Sequence, residues 1–509
     1  MYTIKSLVEG LGCNTICGSE TMEITSVVYD SRKAAAGSLF VCVRGFISDG
    51  HRYISQALEK GASAILIQED QDILTVPELC EKASVKNAAV LSAKDTRRGL
   101  AHVSAAFFSH PSEKLNLLGI TGTKGKTTTS YMVRDIFEKA NRSTGLIGTV
   151  SNIVAGEVRQ AERTTPESYD LQKLLHEMVQ KNSDSCVMEV SSQGLMLDRA
   201  YACRFNVGAF TNIYHDHIGV HEHANMQEYL AAKLLLFDQS ETGVINADAD
   251  FFDKIMDYAK KRCPVFTYGI DNPSSVSAVQ IHKDIQNGKI GTSFVLTSQW
   301  YNESVFVAMP GKFNVYNALC AISIAGVCGI PFEAVREGLA GVSVPGRLQM
   351  VPHKGSFTVL VDYAHNAASL ENLLGTLREY CPGRLITLFG CGGDRAKSRR
   401  YEMGEISGKL SDLTIITSDN PRSENPMDII ADILQGFAKT EGTYMLDPDR
   451  KAAISLALSL ARKDDFVVIA GKGHENYQIL GDKTIHFDDA ETAAELLAAM
   501  DHIRDEKEK

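Results

Sequence analysis

The chain has 509 residues, 44% of them hydrophobic and 23% charged, with a formal net charge of −11. That length serves about three domains, and the balance is that of a globular protein, not a disordered or fibrous one. An acidic chain makes a poor general binder of nucleic acid, and no stretch nears the roughly 18 apolar residues needed to span a bilayer. Residues 1–12 lack the charged start and apolar core of a signal peptide, and the 11 cysteines show no regular framework. A cytoplasmic, reducing location is therefore expected, with no membrane and no nucleic-acid partner.

Residues 1–98 read as a small α/β domain. A strand is predicted over 38–43, a helix over 53–60 stopped by Gly61, and a strand over 64–67. Asp30-Ser31-Arg32 and residues 45–50 are polar segments at strand ends, either plain turns or ligand loops. A helix follows over 95–108 with Asp95 as its N-cap, and residues 109–114 form the first junction.

Residues 115–140 organise the rest. Leu115, Leu117, Leu118 and Ile120 form the apolar run of a covered parallel strand. Gly122 and Gly125 permit backbone conformations and close approach that a side chain would block. Met132, Val133, Ile136, Phe137 and Ala140 then recur at helical spacing. A strand, glycine loop and helix with Lys126 and Thr127 at the helix start make a phosphate cradle, with loop N–H groups and the helix dipole facing the anion. Lys126 would reach the β and γ phosphates and Thr127 would hold Mg²⁺. Ile120 stands where the common loop has its first glycine, so this is the shorter form. A bound nucleoside triphosphate is predicted.

Up to residue 343, strands and helices alternate, as in a doubly wound parallel sheet. The strand over 186–190 carries Glu189, an acid suited to metal binding or to a turn, and leads into Ser191-Ser192-Gln193. The strand over 207–212 runs into Tyr214-His215-Asp216-His217, where histidine is an unusual magnesium ligand and the spacing is not a standard zinc pattern. The helix over 226–237 places Lys233 on the same stripe as Tyr229, Leu230 and Leu234. Its amine either snorkels at the edge of that face or sits desolvated near metal and phosphates, neutral enough to take up CO₂ as a carbamate. Residues 240–310 supply strands and turns. A helix begins over 311–317 with Asn314 and Asn317, and Pro345-Gly346-Arg347 marks the second junction.

In the last region four apolar strands each end in a charged or glycine-rich loop. Strand 359–361 leads to Asp362-Tyr363-Ala364-His365, and 385–389 to the GCGGDR loop with Cys391 and Arg395. Strand 413–417 leads to Ser418, Asp419, Asn420, Pro421 and Arg422, and 466–470 to Gly471-Lys472-Gly473-His474-Glu475. In an open parallel sheet such loops share one edge, so they should converge on one pocket. His474 and Glu475 suit an amine or a carboxylate. Cys391 reads as a small packed thiol, and residues 501–509 as a fraying, solvated end.

Taken in order, DSR, GTKGKTT, TTP, EVSS, DHI with AAK, FNVYN, PGR, DYAHN, GCGGDR, DNPR and GKGHE resemble the Mur ligases over nearly the whole chain. The resemblance implies an α/β protein of three domains: a UDP-substrate domain (1–98), a central P-loop ATPase domain (99–343) and a Rossmann-like amino-acid domain (344–509). It implies an ATP-dependent amide ligase that acts through an acyl phosphate on a UDP-muramoyl-peptide. Tyr29, Ser31, Phe46, Ile47 and Ser48 would hold the uridine nucleotide, and Thr164, Thr165, Ser191 and Arg199 the peptide. ATP would meet Gly122, Thr123, Lys124, Gly125, Lys126, Thr127, Thr128, Asn314, Asn317, Arg347 and Asp362. Mg²⁺ would lie among Thr127, Glu189, His217 and Lys233, the last as N6-carboxylysine, with Lys126, Glu189, His217 and Lys233 the catalytic set. Arg395, Asp419, Asn420, Pro421, Arg422, Gly471 and Glu475 would hold the incoming amino acid. Arg422 offers a planar fork for a second carboxylate, which favours meso-diaminopimelate over lysine. The sequence departs from the family pattern at Gln193, Leu197, Lys124 and Leu348-Gln349. A lysine-adding ligase, a folylpolyglutamate-type ligase and a nucleotide switch are the alternatives, and no guanine-reading Asn-Lys-x-Asp is present. A monomer acting on small molecules is expected.

Overall fold

Three sheets carry the architecture of the computed structural model, which describes residues 2–45, 48–70, 76–219 and 222–507. The first has five strands in the order Asn14–Cys17, Ala89–Ala93, Ala64–Gln68, Ser38–Val41, Ser26–Val28, parallel apart from the first. Alternate residues of its strands serve opposite faces. Phe40, Ile65 and Val90 join one buried cluster, and Leu39, Val41, Leu66 and Leu91 the other. The helix Thr96–Phe107 covers the second face, and Asp95 caps it by accepting from the Arg97 and Arg98 N–H groups.

The central sheet has eleven strands. Its parallel heart runs Thr144–Ile147, Ser185–Glu189, Asn116–Thr121, Phe205–Phe210, Ser240–Asn246, Val265–Gly269. An antiparallel hairpin, Ser151–Val154 with Glu157–Gln160, closes one edge. Asn116–Thr121 lies in the middle, buried on both faces, which accounts for its unbroken apolar run. Register matters here: Glu189 pairs with Ile120, and Phe210 with Thr121. Both neighbouring strands therefore end beside the glycine loop.

The third sheet has six strands in the order Gln349–Met350, Thr358–Asp362, Phe466–Ala470, Leu385–Phe389, Leu413–Ile416, Tyr444–Leu446, and only the first pair is antiparallel. The four strands with polar loops are thus contiguous, and Asp362 is level with Ala470 and Phe389 with Ile416. By contacts the chain divides into two units. The first is Met1–Gln280, Phe294–Val305 and Val315–Ala340, and the second is Ile281–Ser293, Phe306–Asn314 and Gly341–Lys509.

Some elements differ from expectation. The strand predicted over 207–212 is Phe205–Phe210, which frees Thr211 and Asn212 for the loop. The helix over 226–237 is α-helical only across Met226–Leu234 and tightens to 3₁₀ over Leu235–Gln239. A helix at Phe252–Ala259 was not foreseen, and the last helix, Asp489–Lys507, runs through the stretch expected to fray. Against the expectation of reduced thiols, Cys17 is disulfide-paired with Cys80, their Cα atoms 6.0 Å apart: the strand Asn14–Cys17 and the helix Val76–Val85 bring together two residues that lie 63 apart, and no spacing pattern announces the pair. Among the described residues no helix is long and apolar enough to cross a membrane.

Candidate active site

The glycine loop is held by its neighbours. Gly122 (φ 148°) and Gly125 (φ 85°) both lie in the left-handed half of conformational space. A Cβ on Gly122 would come within 1.9 Å of Thr211 Oγ1, and one on Gly125 within 2.3 Å of Asn317 Oδ1. Side chains are therefore excluded at both positions. The Lys124 N–H donates to Asn212 Oδ1 (2.8 Å), while Thr211 Oγ1 and Asn212 Nδ2 donate to Lys124 O. Lys126 Nζ donates to Gly122 O at 2.8 Å and to Thr123 O at 3.1 Å. Lys126 and Thr127 open the helix Lys126–Lys139, so its first-turn N–H groups face the loop.

Thr127 Oγ1 lies 3.0 Å from both carboxylate oxygens of Glu189, which is 1% exposed. The same carboxylate accepts from the Thr149 N–H (2.9 Å) and hydroxyl (3.0 Å). Four contacts from two residues fix it, and Gly148 leaves the room, since a Cβ there would sit 2.4 Å from Glu189 Oε1. Threonine and carboxylate oxygens gathered at a phosphate loop suit a hard cation such as Mg²⁺.

Lys233 is 1% exposed, which excludes the snorkelling alternative. Its Nζ donates to Gly122 O at 2.9 Å and lies 4.5 Å above the Tyr229 ring. Burial, reinforced by the Lys126 charge and opposed by Asp216, pushes its pKa well below the usual lysine value. Tyr229 also contacts Thr123 Oγ1 through its hydroxyl at 3.0 Å. His217 lies at the rim of this group, its ring 5.8 Å from that of Tyr229. Its side chain is 48% exposed, its backbone is left-handed (φ 55°), and Nδ1 pairs with Glu222 at 3.2 Å. A second histidine, His223, packs against the same ring at 5.1 Å; it is fully buried, with Nε2 2.9 Å from Ser192 Oγ.

The residues expected to hold the peptide adjoin this centre. Thr164 Oγ1 contacts Thr149 Oγ1 (3.0 Å), and Thr165 Oγ1 donates to Glu189 O and accepts from the Ser191 N–H. Arg199 donates to Thr165 O and pairs with Glu167 at 2.9 Å. Among the uridine candidates, Ser31 donates to Gln56 Oε1 and Tyr29 to Asp170 Oδ2, both at 2.6 Å. Ser48 is exposed, and Phe46 and Ile47 lie outside the described residues.

In the second unit the four loops do converge. Asn420 Nδ2 donates to Glu475 Oε2 (2.9 Å), Tyr363 OH to Glu475 Oε1 (3.4 Å), and the Gly471 N–H to Asp362 O (3.1 Å). Lys472, fully buried, reaches Asn420 Oδ1 and Glu475 Oε2 at 3.4 and 3.5 Å. Arg422 Nη1 donates to Gly393 O (2.7 Å), and its left-handed backbone (φ 52°) is clamped by Ile479 and Gly481. Such strain in a non-glycine residue persists only where surrounding structure enforces it. Arg395 is exposed, and Pro421 is buried against the glycine loop: a Cβ on Gly393 would meet Pro421 O at 1.9 Å. Asp362 accepts from the Leu348 and Ala364 N–H groups, and burial outweighs the nearby Arg347 to raise its pKa. Arg347 stacks 4.8 Å over Tyr363, and Gln349 holds the Pro-Gly-Arg turn by accepting from the Gly346 N–H. Asn314 is buried and donates to Pro310 O. Cys391 is the packed thiol expected, its pKa pushed up to about 12 by burial.

The chain belongs to the Mur ligase family. Residues 23–108 match the Mur ligase family catalytic domain, 120–325 the Mur ligase middle domain and 346–473 the Mur ligase glutamate ligase domain. It is 44% identical over 502 residues to the UDP-N-acetylmuramoyl-L-alanyl-D-glutamate–2,6-diaminopimelate ligase 1 of Clostridium acetobutylicum, covering 98% of this chain and 99% of that one. It is 41% identical over 500 residues to the corresponding ligase of Clostridioides difficile, covering 98% and 100%. A solved UDP-N-acetylmuramoyl-L-alanyl-D-glutamate–2,6-diaminopimelate ligase matches with a TM-score of 0.72 at 26% identity over 98% of this chain and 99% of the other. A Mycobacterium tuberculosis folylpolyglutamate synthase shares only the fold, with a TM-score of 0.57 at 18% identity over 74% of this chain.

Several residues of this site carried no signal of their own in the sequence. Thr149 follows the strand Thr144–Ile147 as an ordinary Gly-Thr pair, and only strand pairing brings it to Glu189. Thr211 and Asn212 were read as strand. Lys472 lies in a glycine-rich loop whose chemistry reads from His474 and Glu475, and its burial against Asn420 and Glu475 comes only from the fold.

Proposed function

We propose that the chain joins 2,6-diaminopimelate to UDP-N-acetylmuramoyl-L-alanyl-D-glutamate, consuming ATP and forming ADP, in peptidoglycan precursor synthesis. The observation that carries this is Thr127 bonded to Glu189 beside a desolvated Lys233, in a chain alike over 98% of its length to a diaminopimelate-adding ligase. The domains we assign are 1–98, 99–343 and 344–509.

The loop from Gly122 to Thr128 presents N–H groups and the Lys126 ammonium to the β and γ phosphates, stabilising charge that builds on the transferring phosphoryl group. The D-glutamyl carboxylate attacks the γ phosphorus, and the P–O bond to ADP breaks. The amine of diaminopimelate then attacks the acyl carbon and phosphate leaves. Thr127 and Glu189 would hold Mg²⁺, which neutralises phosphate charge when bound. Lys233, its pKa driven down by burial, is suited to reaction with CO₂ to N6-carboxylysine, which would make it an anionic oxygen ligand beside His217. Asn314, Asn317, Arg347 and Asp362 complete the proposed ATP contacts.

Tyr29, Ser31, Ser48, Phe46 and Ile47 are assigned to the uridine nucleotide, and Thr164, Thr165, Ser191 and Arg199 to the muramoyl-dipeptide. Asn420, Arg422, Gly471 and Glu475, with Arg395, Asp419 and Pro421, are assigned to the amino acid. Arg422 points to diaminopimelate over lysine, because a guanidinium pairs with the carboxylate that lysine lacks. A cytoplasmic monomer is the proposed form. The test is ADP release with ATP, Mg²⁺ and the UDP-muramoyl-dipeptide. Stimulation by diaminopimelate and not by lysine is the expected result, and no stimulation by either overturns the reading.

A further inference from the structure

The strands Leu413–Ile416 and Phe466–Ala470 run out into the two loops assigned above to the amino acid. The carbonyls of Ser418 and Ala470 lie at these strand ends, and both point to one side chain. Arg450 Nη1 donates to Ser418 O and Nη2 to Ala470 O, each at 3.1 Å. Its Nε and Nη2 also donate to the two carboxylate oxygens of Asp489, each at 2.7 Å. Four donor contacts of one guanidinium are thus committed, and the side chains of Arg450 and Asp489 are 0% exposed. Arg450 begins the helix Arg450–Leu460, and Asp489 begins Asp489–Lys507. The two helices that back the sheet therefore each send a charged end residue to the same point.

A buried ion pair of this kind is weak evidence for stability, since apolar residues of similar volume often serve as well. What apolar residues cannot do is hold two backbone carbonyls in a fixed relation. Only a planar fork spans both carbonyls and the carboxylate together, and lysine cannot. Asp419 and Asn420 follow Ser418 directly, and Gly471 (φ 113°) and Lys472 follow Ala470. Asn420 and Glu475, which meet at 2.9 Å, lie within the two segments so anchored.

We propose that Arg450 and Asp489 are positioning residues for the incoming amino acid: together they lock the 418–422 and 471–475 loops in register, so that Asn420, Arg422 and Glu475 present one binding surface. This rests on the assignment of those loops to the amino acid. It predicts an effect confined to one of the three substrates. Arg450→Lys and Asp489→Asn should raise KM for diaminopimelate about tenfold, with KM for ATP and for the UDP-substrate within about twofold, the scale expected from a small misplacement of binding groups. Asp489→Glu, which keeps the carboxylate, should recover most of the loss. Amide hydrogen exchange at 418–422 and 471–475 should quicken in Asp489→Asn, with that of 122–128 unchanged.

Arg422→Ala, run alongside, separates this proposal from the assignment beneath it. If Arg422→Ala raises KM for diaminopimelate and Arg450→Lys does not, the positioning role is overturned and the assignment stands. If neither does, both fall. Equal rises in all three KM values, or loss of the fold in every variant of the pair, would make the pair a general brace and overturn the proposal.

Discussion

At residues 122–128 a short stretch of chain makes the proposed anion site, with two left-handed glycines, a helix N-terminus and the Lys126 amine on the Gly122 carbonyl. At residues 418–422 and 471–475 the proposed binding surface is assembled from separate strand ends, and the buried Arg450–Asp489 ion pair ties them together. The first site depends on backbone shape within a few residues. The second depends on side chains brought from helices far along the chain. A substitution in the first should therefore touch ATP and the shared chemical step, and one in the second should touch the amino acid alone.

The sharpest test of the first half is Lys233→Met. It should lower turnover by about 10² to 10³, the scale of losing one charge-stabilising group, without lowering the thermal midpoint, because a buried amine is itself costly. ADP-release kinetics and calorimetry check the two parts, and a variant with near-normal turnover would return Lys233 to a packing role. For the second half, Arg422→Ala should reduce the preference for diaminopimelate over lysine by about 10- to 100-fold, as removal of a charge-assisted hydrogen bond does. Competition between the two amino acids measures it, and an unchanged ratio means that another group reads the carboxylate.

Gly125→Ala tests backbone shape directly. It forces a Cβ toward Asn317 Oδ1 at a left-handed position, and should cost about 1–2 kcal/mol of stability in urea unfolding. KM for ATP should rise while KM for diaminopimelate stays put. The smallest effect is one of pH. Burial, aided by Arg347 and His365, depresses the pKa of His474 from its usual value to about 4. In this window the unfolded chain protonates that imidazole and the folded chain does not. The contribution is therefore fully present above about pH 6.5 and drains away as pH falls toward 4. His474→Gln should flatten that limb of the stability profile in denaturant titrations from pH 7 to 4, and an unaltered slope would show the ring to be solvated.

The phosphate loop was legible because its whole mechanism lies within one stretch of strand, glycine turn and helix. The burial of Lys233 was visible as a position on an apolar stripe, although spacing alone left the direction of its amine open. The four polar loops could be read as a set, since each follows an apolar strand and parallel sheets align such ends. Thr149, Lys472 and Arg450 could not. Each sits in an ordinary local context and gains its role only from pairing set by sheet order. Arg450 in particular follows a capping Asp449 and reads as a routine helix start. His217 was readable as a neighbour of Lys233 only through the motif set, and its ring does lie 5.8 Å from Tyr229 while Nδ1 pairs with Glu222.

The carbonyl of Gly122 receives both Lys126 and Lys233. It is an oxygen acceptor, like the phosphate oxygens proposed above for Lys126. On that assignment a nucleotide that engages the Lys126 amine would trade one oxygen for another, so little side-chain freedom would be lost at that moment. The trade would favour a group with more charge than a carbonyl, which a terminal phosphate has. After transfer of that phosphate the same carbonyl would be at hand to take the amine back, and Gly122 would serve as a built-in competitor that helps the loop let go of its product.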